Sequence, residues 1–372
     1  MELYIDREEL TRALGRVQGI VERRSTNIAL SHVLLSATGT DRVRLTATDT
    51  MLALVGEYGA RVEKAGELSV DAQSFFQIAR SLPEPTVHLK VAAGNRLEIK
   101  SGRSTFHVVG IGPEDFPPLA ARDDKATLKV SSTDLARVIE ETHFSVCSDD
   151  NRYGLNGAHL EEAEEGGVRR VRIVTTDGNR LSWSEAAYEG TFGKGRRMLL
   201  PRKALGEIRK LVTASEGSWE IGFGDRSAVF ATEGLTLMVR LVDGEFPNYR
   251  AVLPSGAKRS VQVPRDRFAD ALKRVSIVAS DRNHSVRFSF EADHMVLAAS
   301  NPDLGDAREE IPAELQGSTM STGFNVRYFQ DILAATTGER IQLDLGDALD
   351  ACLVRFPDRD DCRFVVMPMR LD

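Results

Sequence analysis

The 372-residue chain has no run of 18 or more apolar residues, so no segment is long enough to cross a bilayer as a helix. Its acidic start, MELYIDREEL, lacks the basic and apolar regions of a secretory signal peptide, and the expected compartment is the cytoplasm. Cysteine is scarce. Cys147, Cys352 and Cys362 are odd in number and widely separated, which argues against a disulfide framework and for buried thiols in a reducing environment. There is no phosphate-cradling GxxxxGK loop, no HExxH, no CxxC and no GxSxG; Gly110-Ile-Gly112 is a fragment without the third glycine of a dinucleotide loop. The seven histidines are scattered, and metal sites need clustered ligands. The adjacent acids Asp123-Asp124 and Asp149-Asp150 read as solvated turns. No catalytic residue, metal or cofactor is therefore expected, and the chain does not read as an enzyme. An excess of basic charge is also missing, with 48 basic against 55 acidic residues and a net charge of -7. Nucleic-acid binding would require the basic charge to be segregated on one face.

What the chain does contain is length for two or three domains and a self-similar pattern. Helix-like starts with an acid near the N-terminus recur at 6–17, 133–144 and 266–277, with Asp6, Asp134 and Asp266 spaced by 128 and 132 residues. Each is followed by an arginine (Arg24, Arg152, Arg282), strand-like residues and a small polar segment, TATD (46–49), TTD (175–177) or AASN (298–301). A second half-unit recurs as a strand end running into a helix at 68–82, 199–212 and 323–335. Alternating segments then follow at 87–91, 219–223 and 341–345. The first two copies close with DFPPL (115–119) and EFPNY (245–249), which place boundaries near 126 and 254. The expected class is α+β, in three repeats of two helices with antiparallel strands: 1–126, 127–254 and 255–372.

The helix faces divide by chemistry. Leu10, Ala13, Leu14 and Val17 form a core-facing stripe, while Arg12 and Arg16 share another face. Leu205, Ile208 and Leu211 alternate in the same way with Arg202, Lys203, Arg209 and Lys210. The third helix departs, because Asp134, Glu140 and Glu141 outweigh Arg137.

The motifs SGRSTF (101–106), NRYGLNG (151–157), TTDGNRLS (175–182), PRKAL (201–205), RLVDGEFPNYRAVLP (240–254) and the ending VVMPMRL (365–371) carry a resemblance. From end to end the chain resembles the bacterial DNA polymerase III β subunit family, the replication sliding clamps. The resemblance implies three clamp domains per chain and a head-to-tail homodimer, a six-domain ring with its helices lining the hole. It implies a processivity factor threaded by duplex DNA and held through phosphates without base readout. By equivalence, Arg24, Arg152, Tyr153, Arg202, Lys203 and Arg282 are the expected DNA contacts. A hydrophobic cleft for short motifs of the replicative polymerase α subunit, the clamp loader and repair polymerases is implied at Leu155, Thr176, Asn179, Arg180, Leu181, Pro247, Val252, Val365, Met367, Pro368 and Met369. Methionine suits such a groove because its unbranched thioether repacks at small cost. Asn179 stands where many relatives have histidine, and Gly154 where some have a second aromatic. For the subunit interface the resemblance implies Phe106 and Val108 packing on Ile277 and Val278 of the other chain, with Arg96 and Arg103 opposite Asp303 or Asp306. Two other readings stay open at this point: a peptide-binding adaptor that does not encircle DNA, and a hydrolase or nucleotide-using enzyme on a repeated α+β scaffold.

Overall fold

A computed structural model describes residues 1–119, 126–149, 151–152, 154–165, 167–192, 197–279 and 283–370. Its six α-helices, counted among the described residues, each follow directly on a strand. The helix α1 (Arg7–Val17) follows Glu2–Asp6, and α2 (Ala72–Ser81) follows Gly66–Asp71. Next, α3 (Ser132–Glu140) follows Ala126–Ser131, and α4 (Arg202–Thr213) follows Arg197–Pro201. Last, α5 (Arg265–Val275) follows Arg259–Pro264, and α6 (Val326–Ala335) follows Met320–Asn325. The repeat is therefore a strand–helix step taken twice in each of three copies. No helix among the described residues is long and apolar enough to cross a membrane.

The step is written into the local chemistry. Asp6 caps α1, its carboxylate accepting from the Glu8 and Glu9 N–H groups at 2.9 and 3.0 Å, and Asp71 caps α2 through Ser74 N–H at 2.7 Å. Asn325 caps α6 in the same way, through Arg327 N–H at 3.0 Å. Leu10, Ala13, Leu14 and Val17 are all buried, as the spacing requires. The acidic markers are not structural equivalents, however. Asp6 precedes its helix, whereas Asp134 and Asp266 lie inside the first turns of α3 and α5, so the residues matching Asp6 are Ser131 and Pro264. The positive end of a helix favours a carboxylate anywhere in the cap or first turn, so an acid dates a helix start only to within one turn. The helix expected over 133–144 also ends early, at Glu140, and gives way to a 3-10 turn at His143–Ser145. There the Thr142 hydroxyl donates to the Val138 carbonyl at 2.7 Å, a back-bond that competes with helix continuation.

The chain divides into two compact units, one drawn from 1–132, 189–193 and 206–241, the other from 133–188, 194–205 and 242–372. The cuts fall inside the central repeat because sheets run on past the repeat limits. In the first unit, Leu52–Lys64 pairs antiparallel with Leu235–Arg240, joining a 13-stranded sheet, and α1 packs on α2. In the second, Arg180–Ala187 pairs antiparallel with Cys362–Val366 in a nine-stranded sheet, beside a four-stranded one. There α5 packs on α6 over a core in which the Phe268, Phe288, Phe324 and Phe329 rings meet, several centroids being 5.2 Å apart. All three cysteines are buried, and burial pushes the Cys362 thiol up to about 12.

Candidate functional site

In the second unit one turn organises the expected cleft. The Asp177 carboxylate accepts from the Asn179 and Arg180 N–H groups at 2.9 and 3.1 Å, and the Thr176 hydroxyl donates to the Arg180 carbonyl at 2.6 Å. Gly178 sits at φ 91°, a left-handed conformation that glycine adopts without steric cost. The turn leaves Asn179 exposed and delivers Leu181 onto the sheet directly opposite Val365. Both are buried, clustered with Val174, Trp183 and Tyr249, while Phe246 and Leu253 pack against them. The chain then leaves the strand: Met367 N–H donates to the Asn179 carbonyl at 2.9 Å, and Met369 N–H to the Gly323 carbonyl at 2.8 Å. Met367 is 42% exposed, Val252 is 56% exposed, and Pro247 is also exposed. The result is a buried apolar pair, Leu181 and Val365, beside the exposed Met367 and Asn179; Val252 and Pro247 are exposed on the segment that supplies Phe246, Tyr249 and Leu253 to the same cluster, and Pro247 lines a cavity with His159, Glu161 and Tyr249. Pro368 and Met369 are half-buried next to Met367, and Leu155 comes from a different segment, the turn after Arg152.

Arg180 has other work. Its guanidinium pairs with Asp177 at 3.0 Å and with Asp331 of α6 at 2.6 Å, donates to the Phe144 carbonyl at 2.6 Å and lies 4.6 Å from the Tyr328 ring centroid. It ties the turn to α6, so its charge is already matched. Behind the Leu181–Val365 pair is a charged buttress. Glu161 accepts from the Tyr249 hydroxyl at 2.5 Å and Arg250 at 2.6 Å, and His159 lies 3.3 Å away. Burial pushes the Glu161 carboxyl up, but the hydrogen bonds from His159 and Tyr249 and the Arg250 charge outweigh it and hold the pKa down to about 2. The Tyr249 hydroxyl is shifted up by burial and by its bond to Glu161.

Of the expected DNA contacts, Arg24, Arg152, Arg202 and Lys203 are exposed, while Tyr153 and Arg282 lie outside the described residues. Arg152 also donates to the Asp177 carbonyl at 2.7 Å, which links it to the cleft turn. The acidic departure of α3 shrinks in the structure. Glu141 is buried and neutralised by Arg359 at 2.7 Å and Arg137 at 3.3 Å, so it presents no charge to solvent.

The expected interface residues fall on two edge strands. Ser104–Ile111 pairs with Arg96–Ser101 along one side and with the Gly66–Asp71 strand only at Gly110 and Ile111. Among the described residues, Gly305–Pro312 pairs with His294–Asn301 alone. Phe106 is 36% exposed, Val108 half-buried, Ile277 72% exposed and Val278 half-buried, and Arg96, Arg103, Asp303 and Asp306 are all exposed. Two large apolar residues went unread in the sequence: Val109, 68% exposed, and Leu304, 65% exposed. A leucine between Pro302 and Gly305 in a hairpin turn is a signal that could have marked Leu304. Nothing in the Val108-Val109 pair says which valine faces out.

Three strand–helix repeats, a buried apolar pair beside exposed apolar residues, and two strands largely unpaired on one side among the described residues make up a modular scaffold. Three family models match, described as the N-terminal domain (residues 1–120), the central domain (129–248) and the C-terminal domain (250–370) of the DNA polymerase III beta subunit. The chain is 32% identical over 374 residues to the beta sliding clamp of Caulobacter vibrioides, and 34% identical over 373 to that of Pseudomonas putida. Each match covers 100% of both proteins. A crystal structure of the Caulobacter crescentus beta sliding clamp superposes with a TM-score of 0.94 at 32% identity, again with full coverage of both chains. A Pseudomonas aeruginosa sliding clamp bound to griselimycin gives 0.93 at 33% identity, with the same coverage. The chain belongs to the beta sliding clamp family, the DNA polymerase III beta subunits. It is a sliding clamp processivity factor of DNA polymerase III, a non-catalytic component of DNA replication.

Proposed function

We propose that two copies of this chain close head to tail into a six-domain ring around duplex DNA, in the cytoplasm, and tether the replicative polymerase, the clamp loader and repair polymerases through the Leu181–Val365 cleft. The observation that carries the ring is the pair of open sheet edges, Ser104–Val109 and Gly305–Pro312, each beside exposed apolar residues. Pairing one edge with the other in a partner copy satisfies both ladders and makes a heterologous contact that closes after two chains. Phe106, Val108 and Val109 supply apolar surface on one side; Ile277, Val278 and Leu304 supply it on the other. Arg96 and Arg103 then meet Asp303 and Asp306 as a charged rim. Domain limits at 1–126, 127–254 and 255–372 put one pair of helices in each domain.

Arg24, Arg152, Arg202 and Lys203, with Tyr153 and Arg282, serve as phosphate contacts. They hold DNA weakly and without sequence preference, so retention comes from topology. The cleft takes apolar side chains of short motifs over its Leu181 and Val365 floor, and Asn179 offers an amide at the rim.

The test is primer extension on a single-primed circular template with the cognate polymerase and loader. The native chain gives long products. Ile277→Asp, which buries an unpaired charge in the interface, gives monomers by light scattering and products no longer than without clamp. Unchanged dimers with long products would overturn the interface.

A further inference from the structure

We propose, resting on the peptide reading of the second unit's cleft, that the first unit carries a second docking groove for a short extended segment of a partner protein with leucine-like side chains flanked by carboxylates. The groove has a cavity volume of about 690 Å³ and is lined by Met51, Leu52, Ala53, Pro117, Leu119 and Met238, with Asp225, Arg226 and Arg240 as its charged residues. Its turn copies the cleft turn bond for bond. Asp49 accepts from the Met51 and Leu52 N–H groups at 2.9 and 2.6 Å, as Asp177 accepts from those of Asn179 and Arg180. Thr48 donates to the Leu52 carbonyl at 2.8 Å, as Thr176 donates to that of Arg180. Arg240 N–H donates to the Met51 carbonyl at 2.8 Å, as Met367 N–H donates to that of Asn179. Sheet register agrees: Met238 lies opposite Ala53 where Val365 lies opposite Leu181. Pro117 of DFPPL answers Pro247 of EFPNY.

The substitutions between the two sites define the ligand. Leu52 replaces the ion-paired Arg180, and Ala53 replaces Leu181, which leaves an apolar wall and more room. Arg240 replaces the exposed Met367. Arg226 and Arg240 are exposed, make no ion pair among the described residues and outnumber the one lining carboxylate, Asp225, so the mouth presents a net positive charge around an apolar trough. Carboxylates beside leucines match it in charge and in polarity. A second, independent mark is Thr50. It holds φ 75° where the cleft has Gly178, and a β-branched residue there is strained. Such strain concentrates at ligand-binding loops.

The test uses the full chain labelled with ¹³C at its methionine methyls, titrated with acetyl-Asp-Leu-Glu-Leu-Asp-amide. Met51 and Met238 report on the new groove, and Met367 and Met369 on the cleft. Saturable shifts at Met51 and Met238 are expected, weakened about tenfold or more by combined Arg226→Glu and Arg240→Glu with the Met367 and Met369 response unchanged. Native methyl dispersion confirms that this variant folds, and Met51→Glu, a single exposed change, gives the same loss if it does not. Met51 and Met238 unmoved at millimolar peptide while Met367 and Met369 respond would overturn the second groove and leave the cleft standing. Movement of the first pair alone would sustain the groove and remove the cleft reading. Binding that is indifferent to the charge reversals would overturn the proposed ligand chemistry.

Discussion

The Asp177 turn of the second unit and the Asp49 turn of the first share one hydrogen-bond pattern and differ in what they spend it on. Around Asp177 the turn is locked: glycine sits at its left-handed position, Arg180 is tied to Asp177, Asp331 and the Phe144 carbonyl, and a charged buttress stands behind the floor. Around Asp49 it carries a strained threonine, a leucine in place of the arginine and two exposed arginines at the rim that make no ion pair among the described residues. A looser relative closes the hairpin of His294–Asn301 and Gly305–Pro312, where the Asn301 side chain accepts from Asp303 N–H at 2.9 Å and Leu304 stands exposed. One turn, used twice, is thus a mount for different surfaces, and the Asn301 turn keeps a single bond of it in a loop one residue longer. Its backbone chemistry persists while the residues it presents diverge.

The largest expected effect on this comparison comes from Arg180→Ala. It strands Asp177 and leaves the Phe144 carbonyl without its donor, so the second unit should lose about 3 kcal/mol of stability in denaturant unfolding. A loss of less than about 1 kcal/mol on Arg180→Ala, the range of an exposed ion pair, would mean that the Asp177 turn is not locked as described.

Acid should separate the two sites next. The Glu161 pKa is depressed to about 2, so its contribution is fully present above its ordinary value near 4.5 and is lost as pH falls toward 2. That contribution is about 3 kcal/mol at most, read as a fall in the second unit's unfolding midpoint across this window and flattened by Glu161→Gln. Below pH 4 the Met367 and Met369 methyl signals should lose native dispersion before those of Met51 and Met238. The reverse order would remove the buttress from the account.

The smallest effect is a gain. Thr50→Gly relieves a left-handed β-branched residue and should raise stability by about 1 kcal/mol, net of the added freedom of the unfolded chain. A loss on this substitution would mean that Thr50 is held there by contacts worth more than its strain.

Much of this was legible in the sequence for a physical reason: strand-to-helix steps need caps and stripes, and Asp6, Asp71 and Asn325 supply the caps while Leu10, Leu14 and Val17 supply a stripe. The repeat was therefore visible, although acids misplaced its register by two or three residues at Asp134 and Asp266. Where polypeptide segments meet was not legible. That Arg180 also ties its turn to α6 was not legible, because its motif says nothing of Asp331, 151 residues away. Glu141 read as a surface acid because Arg359 lies 218 residues on. The cleft positions were reached only through resemblance: VVMPM alone is a short apolar run, and the structure indeed buries Val365 and Val366 while turning Met367 out. The Asp49 groove has no such signature, since TATDTML is an ordinary strand and turn until its bonds are set beside those of TTDGNRL.

The central claim is that the open edges close a ring of two chains. Electron microscopy of the purified protein without DNA, at a concentration where light scattering gives its mass, tests it most directly. The account predicts a closed ring of six similar lobes at the mass of two chains. A crescent of three lobes at the mass of one chain would contradict it.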